Sequence, residues 1–573
     1  MRIAITGIGA ISAIGRNCAE TLQSLLNEQS GIGAMRVLRS AHTELPVGEV
    51  PYCDAELKQM AGVDAEEPMP RTALLGLIAA QEALQQSAIN QQSSEIALIS
   101  GTTVGGMDLT EQHWNDYAVG KATENICMHE ADASTLAIAK HLSPFAFTAT
   151  PSTACSSALN AVLLGANMLR TGQVKAAVVG GAESLSKFHL NGFNTLMILS
   201  HDQCRPFDAN RNGLNLGEGA GYLVIECEED AKARGAAILG FIGGYANTCD
   251  AFHQTASSEN GEGAYLAMKG ALEMAGLQPG EIDYINAHGT ATPNNDASES
   301  AALARLFGQQ LPAVSSTKAF TGHTTSASGG LEAAICVLAL QHGFVPANLN
   351  WSETAEGLIK PVLHTERRTL RHVLCNAFGF GGNESSLVLS KEGIDLSETT
   401  LPSRLTPLAF IAISDDTTVS QWVSGAEARR MTPQMRRIVA AVRQILQQTG
   451  ITPDAIICET RWGCMAQSMR FLQDMLDNDE QQLKPTPFIQ STHNTVASLI
   501  AILTGNHGYN ATYAQHPTSA SAAMMDIQTQ MALRMIKSAL VLQFDEQVES
   551  WDQVLTQVDE PMQAIAHAYI YKV

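Results

Sequence analysis

Basic residues are scarce in this 573-residue chain: 35 Lys and Arg stand against 57 Asp and Glu, a net charge of −22. That balance disfavours nucleic acid as a partner, because binding a polyanion needs surplus cation on the protein. Long apolar runs are missing as well. None reaches the ~18 residues that a bilayer-spanning helix requires, so no membrane insertion is expected. The 11 cysteines are odd in number, share no repeated spacing and include no Cys-x-x-Cys pair, which excludes a disulfide framework and a zinc knuckle as expectations. The opening apolar stretch is broken by glycines and lacks an Ala-x-Ala cleavage site, so it reads as a first buried strand over 3–6 rather than a leader. These absences together anticipate a reducing cytoplasm.

What is present is globular: 45% apolar residues, with 46 glycines and 20 prolines spread through the chain, ruling out disorder and low complexity. Short apolar runs at 3–9, 96–101, 176–181, 221–226 and 385–390 end in glycine or polar turns, with helix-length stretches between them. Continuous rather than alternating apolar runs predict an α/β fold whose sheets are covered on both faces. A polar segment followed by LPSRLTP (401–407) predicts a domain boundary near residue 395.

The piece beyond that boundary echoes the piece before it. RTALLGLIAAQEALQQSAI (71–89) is matched by RRIVAAVRQILQQTGI (436–451), and IALISG (96–101) by AIICET (455–460). Further on, FTATPSTACSSALNAVLLGANML (147–169) is mirrored by YNATYAQHPTSASAAMMDIQTQM (509–531), and AAVVGGAES (176–184) by ALVLQFDEQ (539–547). Four elements in the same order predict a degenerate half copy.

Three segments carry chemistry. Cys155 lies in PSTACSSALNAV, just before a helix-like run, where free N–H groups and the helix dipole favour a thiolate and can hold an oxyanion. His288 in NAHGTATPNND and His323 in SSTKAFTGHTTSASGG each follow a short apolar strand, which puts them at the carboxyl edge of a sheet. Two neutral imidazoles beside a thiolate can donate hydrogen bonds to a thioester carbonyl and stabilise an enolate.

Those segments, together with CRPFDANRNGLNLGEGAG (204–221) and NAFGFGGNESSLVL (376–389), resemble the elongating β-ketoacyl-acyl carrier protein synthases of the thiolase superfamily over residues 1–393. The resemblance implies a thiolase-like fold of duplicated α-β-α-β-α layers, with halves at 1–240 and 241–393, a linker at 394–410 and a degenerate thiolase-like half domain at 411–573. It implies a decarboxylative Claisen condensation without cofactor or metal: Cys155 as nucleophile, His288 and His323 on the malonyl thioester, and Lys318 ordering the His323 environment. Phe380 between Gly379 and Gly381 corresponds to the family's gate, its N–H joining that of Cys155 in an oxyanion hole. Glu332, Asp296 and Glu299 correspond to supporting acids.

The resemblance also implies acyl- and malonyl-loaded acyl carrier protein as partner, and a homodimer or a heterodimer with a chain-length factor. Arg71, Lys58, Lys187, Arg205 and Arg211 are the available cations for carrier docking. The sequence departs from the family at Asn383-Glu384, which brings a carboxylate near the gate, and at Thr325–Ser328, where hydroxyls predict a more polar pocket. Both put the acyl substrate in doubt, and the polar pocket together with the fused half copy favours a polyene or pigment-type chain over a saturated fatty acid. The second unit resembles the synthase-like domains of aryl polyene and pigment clusters and has no cysteine after Cys464; it is expected to pack on the synthase and shape its tunnel, with His493 a turn or core residue. A non-catalytic partner subunit is the competing whole-chain reading, and a degradative thiolase a further one.

Overall fold

The apolar runs become strands buried from end to end. In the computed structural model, which describes residues 1–90, 95–122, 125–142, 144–401, 405–558 and 560–573, all ten residues of β1 (Ile3–Ser12) are buried. The remaining strands of the first 393 residues are β2 (Ile96–Gly101), β3 (Phe147–Ala149), β4 (Ala176–Glu183), β5 (Gly219–Cys227), β6 (Gly240–Cys249), β7 (Tyr284–Asn286), β8 (Ala313–Ser315), β9 (Phe344–Val345), β10 (Glu366–Arg367), β11 (His372–Gly379) and β12 (Asn383–Ser390). Apart from the small β9–β10 pair, they form one sheet in the order β3-β2-β4-β5-β1-β6-β12-β11-β7-β8.

That order is one pattern used twice. From the outside inward, three parallel strands are followed by two antiparallel ones: β3, β2, β4, then β5 and β1 on one side, and β8, β7, β11, then β12 and β6 on the other. The halves meet through only three residue pairs of β1 and β6. Helix Ser157–Arg170 is buried at every residue and helix Ser328–His342 from Ser328 to Leu340. They pack on each other and on both half-sheets, while helices Arg71–Ser87 and Glu262–Ala275 cover the outer faces. This is the duplicated α-β-α-β-α layering that the resemblance implies.

The pattern occurs a third time beyond the linker. Strands β13 (Ala409–Ala412), β14 (Ala455–Thr460), β15 (Tyr509–Ala514), β16 (Ser538–Asp545) and β17 (Ile565–Lys572) pair in the order β15-β14-β16-β17-β13. The first three are parallel, and β17 and β13 are each antiparallel to their neighbour. Strand for strand this repeats β3-β2-β4-β5-β1, and every sequence echo falls on its topological counterpart. The second half of the fold has no copy among the described residues. On β17 the residues facing away from helix Pro433–Thr449 include the half-buried His567 and Tyr569, and Tyr569 Oη donates to Gln543 Oε1 at 3.1 Å.

The half copy docks by backbone pairing at the segment leading to Cys155. Ser152 N–H donates to the Thr512 carbonyl at 2.8 Å, Ala514 N–H donates to that of Thr150 at 2.9 Å, and Pro151 lies antiparallel to Tyr513. In the mirrored segments Pro151 and Tyr513 are counterparts, so the two units meet about a pseudo-twofold axis. Side chains extend the contact: Asn383 Nδ2 donates to the Asn510 carbonyl at 2.6 Å, and Asn510 N–H donates to Asn247 Oδ1 at 2.8 Å. Of the expected linker, residues 402–404 lie outside the described residues. Its first part is strapped to the synthase unit by Arg170, whose Nε and Nη2 donate to the Ser397 carbonyl and Oγ at 2.7 and 2.6 Å.

An aromatic cluster closes the other side of the contact. Phe488 of the half copy lies 5.5 Å from Phe193 and 5.7 Å from Phe188, and Phe471 lies 5.1 Å from Phe188. Phe488 reaches them because position 192 is glycine: a Cβ there would sit 2.1 Å from the Phe488 ring. Gly192→Val should therefore cost about 1–3 kcal/mol of overpacking, read as a lower urea midpoint of the whole chain. An unchanged midpoint would mean that Phe488 does not pack as described.

Candidate functional site

The small residues of PSTACSS let three segments converge on one thiol. Cys155 sits in a single 3-10 turn ahead of helix Ser157–Arg170, after Ala154, whose φ of 54° is the left-handed conformation disfavoured for residues other than glycine. Ser157 Oγ ties the turn by accepting from Thr153 N–H at 2.9 Å and donating to the Ala154 carbonyl at 2.6 Å. The Cys155 and Phe380 N–H groups lie near Cys155 Sγ and favour its anion. Such close approach by the 379–382 loop needs glycine, since a Cβ on Gly379 would lie 3.0 Å from Cys155 N and from the Thr153 carbonyl.

His323 Nε2 lies 3.2 Å from Cys155 Sγ, and His288 meets His323 edge to face with ring centroids 5.2 Å apart. Ligand atoms of Cys155, His288 and His323 all fall within 4.8 Å of one another. Each histidine is fixed from behind. Asn215 and Gly217, in the loop before β5, bond to the backbone of His323 at 2.7 and 2.9 Å, and Ser328 Oγ lies 3.0 Å from His323 Nδ1. Glu299 accepts from the N–H groups of His288 and Gly289 at 2.9 and 2.8 Å. Asp296 holds the next turn through the N–H groups of Ala291 and Phe207 at 3.1 and 2.7 Å. Lys318 is buried and paired with Glu332 at 2.6 Å.

Burial decides the protonation states. It drives both histidines well below 6.5, and the Lys318 ammonium pushes in the same direction, so both are neutral imidazoles. Burial raises Glu332 to about 7, against which the adjoining ammonium stabilises the carboxylate. Burial likewise pushes Cys155 up to about 12, only partly offset by Lys318 and the two N–H groups. The thiolate expected from the helix terminus is therefore not the resting state: desolvation outweighs it, and Cys155 rests as a thiol.

The departures from the family pattern also read differently in three dimensions. Ser328 supports His323, and Ser326 Oγ donates to buried Glu183, so of the hydroxyls over 325–328 only Thr325 lines the pocket. Glu384 is buried with Oε2 unpartnered, and burial beside Asp250 and Glu299 raises it well above the usual carboxylate range, making it a neutral acid rather than a carboxylate. One of the expected docking cations needs correction too. Arg71 is internal, held by Glu218 at 2.7 Å and by Asp54, since a buried guanidinium requires paired carboxylates. Lys187 is half-buried against Glu480 at 3.6 Å, Lys58 Nζ donates to the Ala65 carbonyl at 2.7 Å, and Arg211 Nη2 donates to that of Pro293 at 2.9 Å. Arg205 is half-buried, and none of the five lines a cavity that reaches Cys155.

Two cavities do reach Cys155, and Phe380 and Phe193, stacked at 5.5 Å, stand between them. One is walled by His288, His323, Thr290, Asn295 and Thr255, the other by Met107, His129 and His189 together with Trp462, Phe488 and His493 of the half copy. His493 is thus neither remnant ligand nor plain core: it lines the second cavity while its Nδ1 meets Ser152 Oγ at 2.9 Å. The far wall holds the buried pair Arg461–Glu130 at 2.6 Å. Trp462, Arg461 and His129 carried no motif, because only docking of the two units makes them neighbours.

Comparison with known proteins accords with this geometry. The family model for the β-ketoacyl synthase N-terminal domain matches residues 1–231, that for the C-terminal domain matches 239–352, and a second N-terminal-domain model matches 408–572. A 3-oxoacyl-[acyl-carrier-protein] synthase 2 of Vibrio harveyi is 34% identical over 411 residues, 68% of this chain and 98% of its own. The solved ishigamide ketosynthase/chain length factor is 31% identical over 68% of this chain and 99% of that one, with a TM-score of 0.63. The PfaC keto synthase-chain length factor, at 17% identity, shares the fold over 100% of this chain and 78% of its own, with a TM-score of 0.80.

A thiol rather than a resting thiolate has a measurable consequence. Alkylation of Cys155 by iodoacetamide should keep rising about tenfold per pH unit beyond pH 9, because the reactive thiolate is populated only as pH climbs toward a raised pKa. A rate already at its plateau below pH 7 would indicate a preformed thiolate–imidazolium pair.

Proposed function

The chain belongs to the β-ketoacyl synthase family, and from that premise we propose that it elongates an acyl chain by decarboxylative condensation at Cys155, with its C-terminal unit serving as the built-in wall of the acyl cavity. The observation that carries the reading is the approach of His323 Nε2 to Cys155 Sγ at 3.2 Å, with two N–H groups near the same sulfur.

In the first stage Cys155 Sγ attacks the thioester carbonyl of an acyl carrier protein while neutral His323 Nε2 takes the thiol proton. The Cys155 and Phe380 N–H groups receive the oxyanion. Collapse expels the carrier thiol, which leaves with that proton, and the acyl group remains on Cys155. A malonyl thioester then occupies the cavity lined by His288 and His323, whose N–H groups hold its carbonyl oxygen. Carbon dioxide leaves, the enolate carbon attacks the acyl carbonyl, and the C–S bond to Cys155 breaks, giving a β-ketoacyl carrier two carbons longer and a Cys155 thiolate that takes one proton from water to restore the resting thiol. The Ser328 hydroxyl, able to donate to or accept from Nδ1, suits either tautomer of His323. Lys318 keeps both imidazoles neutral and offsets charge returning to Cys155.

The acyl chain lies against Phe193, Phe380, Trp462, Phe488 and the neutral rings of His129 and His493. Aromatic and imidazole faces favour a flat conjugated chain, so the reading extends to polyene-type acyl groups in a cytoplasmic pathway. The chain-length-factor role falls to the half copy, and the pairing expected between two chains at the Cys155 segment is made within one.

Intact-protein mass spectrometry tests the assignment. Wild type mixed with an acyl carrier should gain one acyl group and lose it to malonyl carrier as a longer β-keto product, whereas Cys155→Ala should gain none. His288→Ala should still be acylated but condense at least about a hundredfold more slowly. Acylation of Cys155→Ala would refute the nucleophile, and condensation by His288→Ala at the wild-type rate would refute the role of that imidazole.

A further inference from the structure

Asn494 of the half copy stands at the N-cap of helix Thr495–Thr504, where an asparagine side chain ordinarily accepts from its own helix. It makes no such bond. Its Nδ2 instead donates to the Phe380 carbonyl at 2.9 Å, across the contact between the two units. The next group of the same peptide, Gly381 N–H, donates to the Gln254 carbonyl at 2.8 Å. The Phe380–Gly381 peptide is therefore held at both of its polar atoms, at oxygen by the half copy and at nitrogen by the synthase unit. Clearance there is small: a Cβ on Gly381, whose φ is 86°, would lie 2.9 Å from Asn494 Nδ2 and 3.1 Å from Ser498 Cβ. Asn494 is buried, so little water is at hand to replace the bond.

Phe380 connects this clamp to the reacting sulfur. Its N–H lies near Cys155 Sγ and its ring stacks on Phe193 between the two cavities. We propose that Asn494 is a positioning residue for the condensation: by anchoring the Phe380 carbonyl, the half copy sets the Phe380 N–H over Cys155 and keeps the ring between the acyl and malonyl cavities. The C-terminal unit thus acts on the rate and fidelity of the reaction as well as on the shape of its pocket. When the anchor is lost, the loop swings away from Cys155, the oxyanion loses one of its two donors, and water reaches the acyl thioester. An acyl group then ends as free carboxylic acid, with Cys155 released as thiol, instead of being transferred to the enolate.

This proposal rests on the reading of Cys155 as nucleophile, and the experiment separates the two. Asn494→Ser in the full-length chain keeps a polar side chain at the start of helix Thr495–Thr504 but one too short to reach Phe380, so it removes the anchor; no capping bond is lost, because Asn494 makes none. The turnover number for condensation should fall roughly tenfold or more, with the KM for malonyl carrier changed by less than about threefold, and free acid should rise relative to β-keto product. Its thermal midpoint should fall by no more than a few degrees, since a single buried hydrogen bond is lost. Asn494→Asp, which sets an acceptor against the carbonyl, should behave as Asn494→Ser or worse. Turnover within about twofold of wild type and an unchanged acid-to-product ratio in Asn494→Ser would overturn the proposal. If wild-type Cys155 itself gains no acyl group, the failure lies in the nucleophile assignment.

Discussion

The short backbone pairing of Thr150–Ser152 with Thr512–Ala514 is the constraint on which the site depends. It ends three residues before Cys155, so the segment that places this thiol is held on one side by its own sheet and on the other by the half copy. Buried backbone groups must find partners, and Ser152 N–H and the Thr150 carbonyl find theirs across this contact. From it follow the placement of Trp462, Phe488 and His493 in the wall of the acyl cavity and the approach of Asn494 to the gate loop. The synthase unit supplies the reacting groups, and the second unit supplies much of what surrounds them.

Inside that frame the site works by neutrality. A thiol and two uncharged imidazoles are buried together with one ion pair, Lys318–Glu332. Burial and the nearby ammonium disfavour a resting imidazolium at either ring, so a proton accepted by His323 is readily given up again. The ammonium also lowers the cost of placing negative charge on sulfur or oxygen where burial limits its solvation. The neutral Glu384 and the Arg461–Glu130 pair follow the same rule: across this interior, charge is either cancelled by a partner or removed by protonation.

Cys155, His288, His323 and Lys318 were legible because each lies in a segment whose small residues and glycines are demanded by local geometry, so motif and structure coincide. The half copy was legible because the order of strands and helices survives where the residues do not. Other features depended on contacts between distant positions. Arg71 looked like a surface cation until Glu218, far along the chain, was seen to bury it. The hydroxyls of Ser326 and Ser328 looked like pocket polarity, yet they point backward to Glu183 and His323. The thiol state of Cys155 turned on the depth of burial, which no local pattern records, and the roles of Trp462 and Asn494 exist only once two units meet.

The pairing at Pro151 and Tyr513 also changes the stoichiometry of the assembly. When such a contact joins two separate subunits, occupancy depends on concentration and each partner must be made in matched amounts. In this chain the partners are tethered, so their effective concentration lies in the millimolar range typical of short linkers and dilution cannot part them. The tether also makes the assembly one-sided. The half copy has no cysteine at the position that mirrors Cys155, so the tethered pair carries a single such thiol.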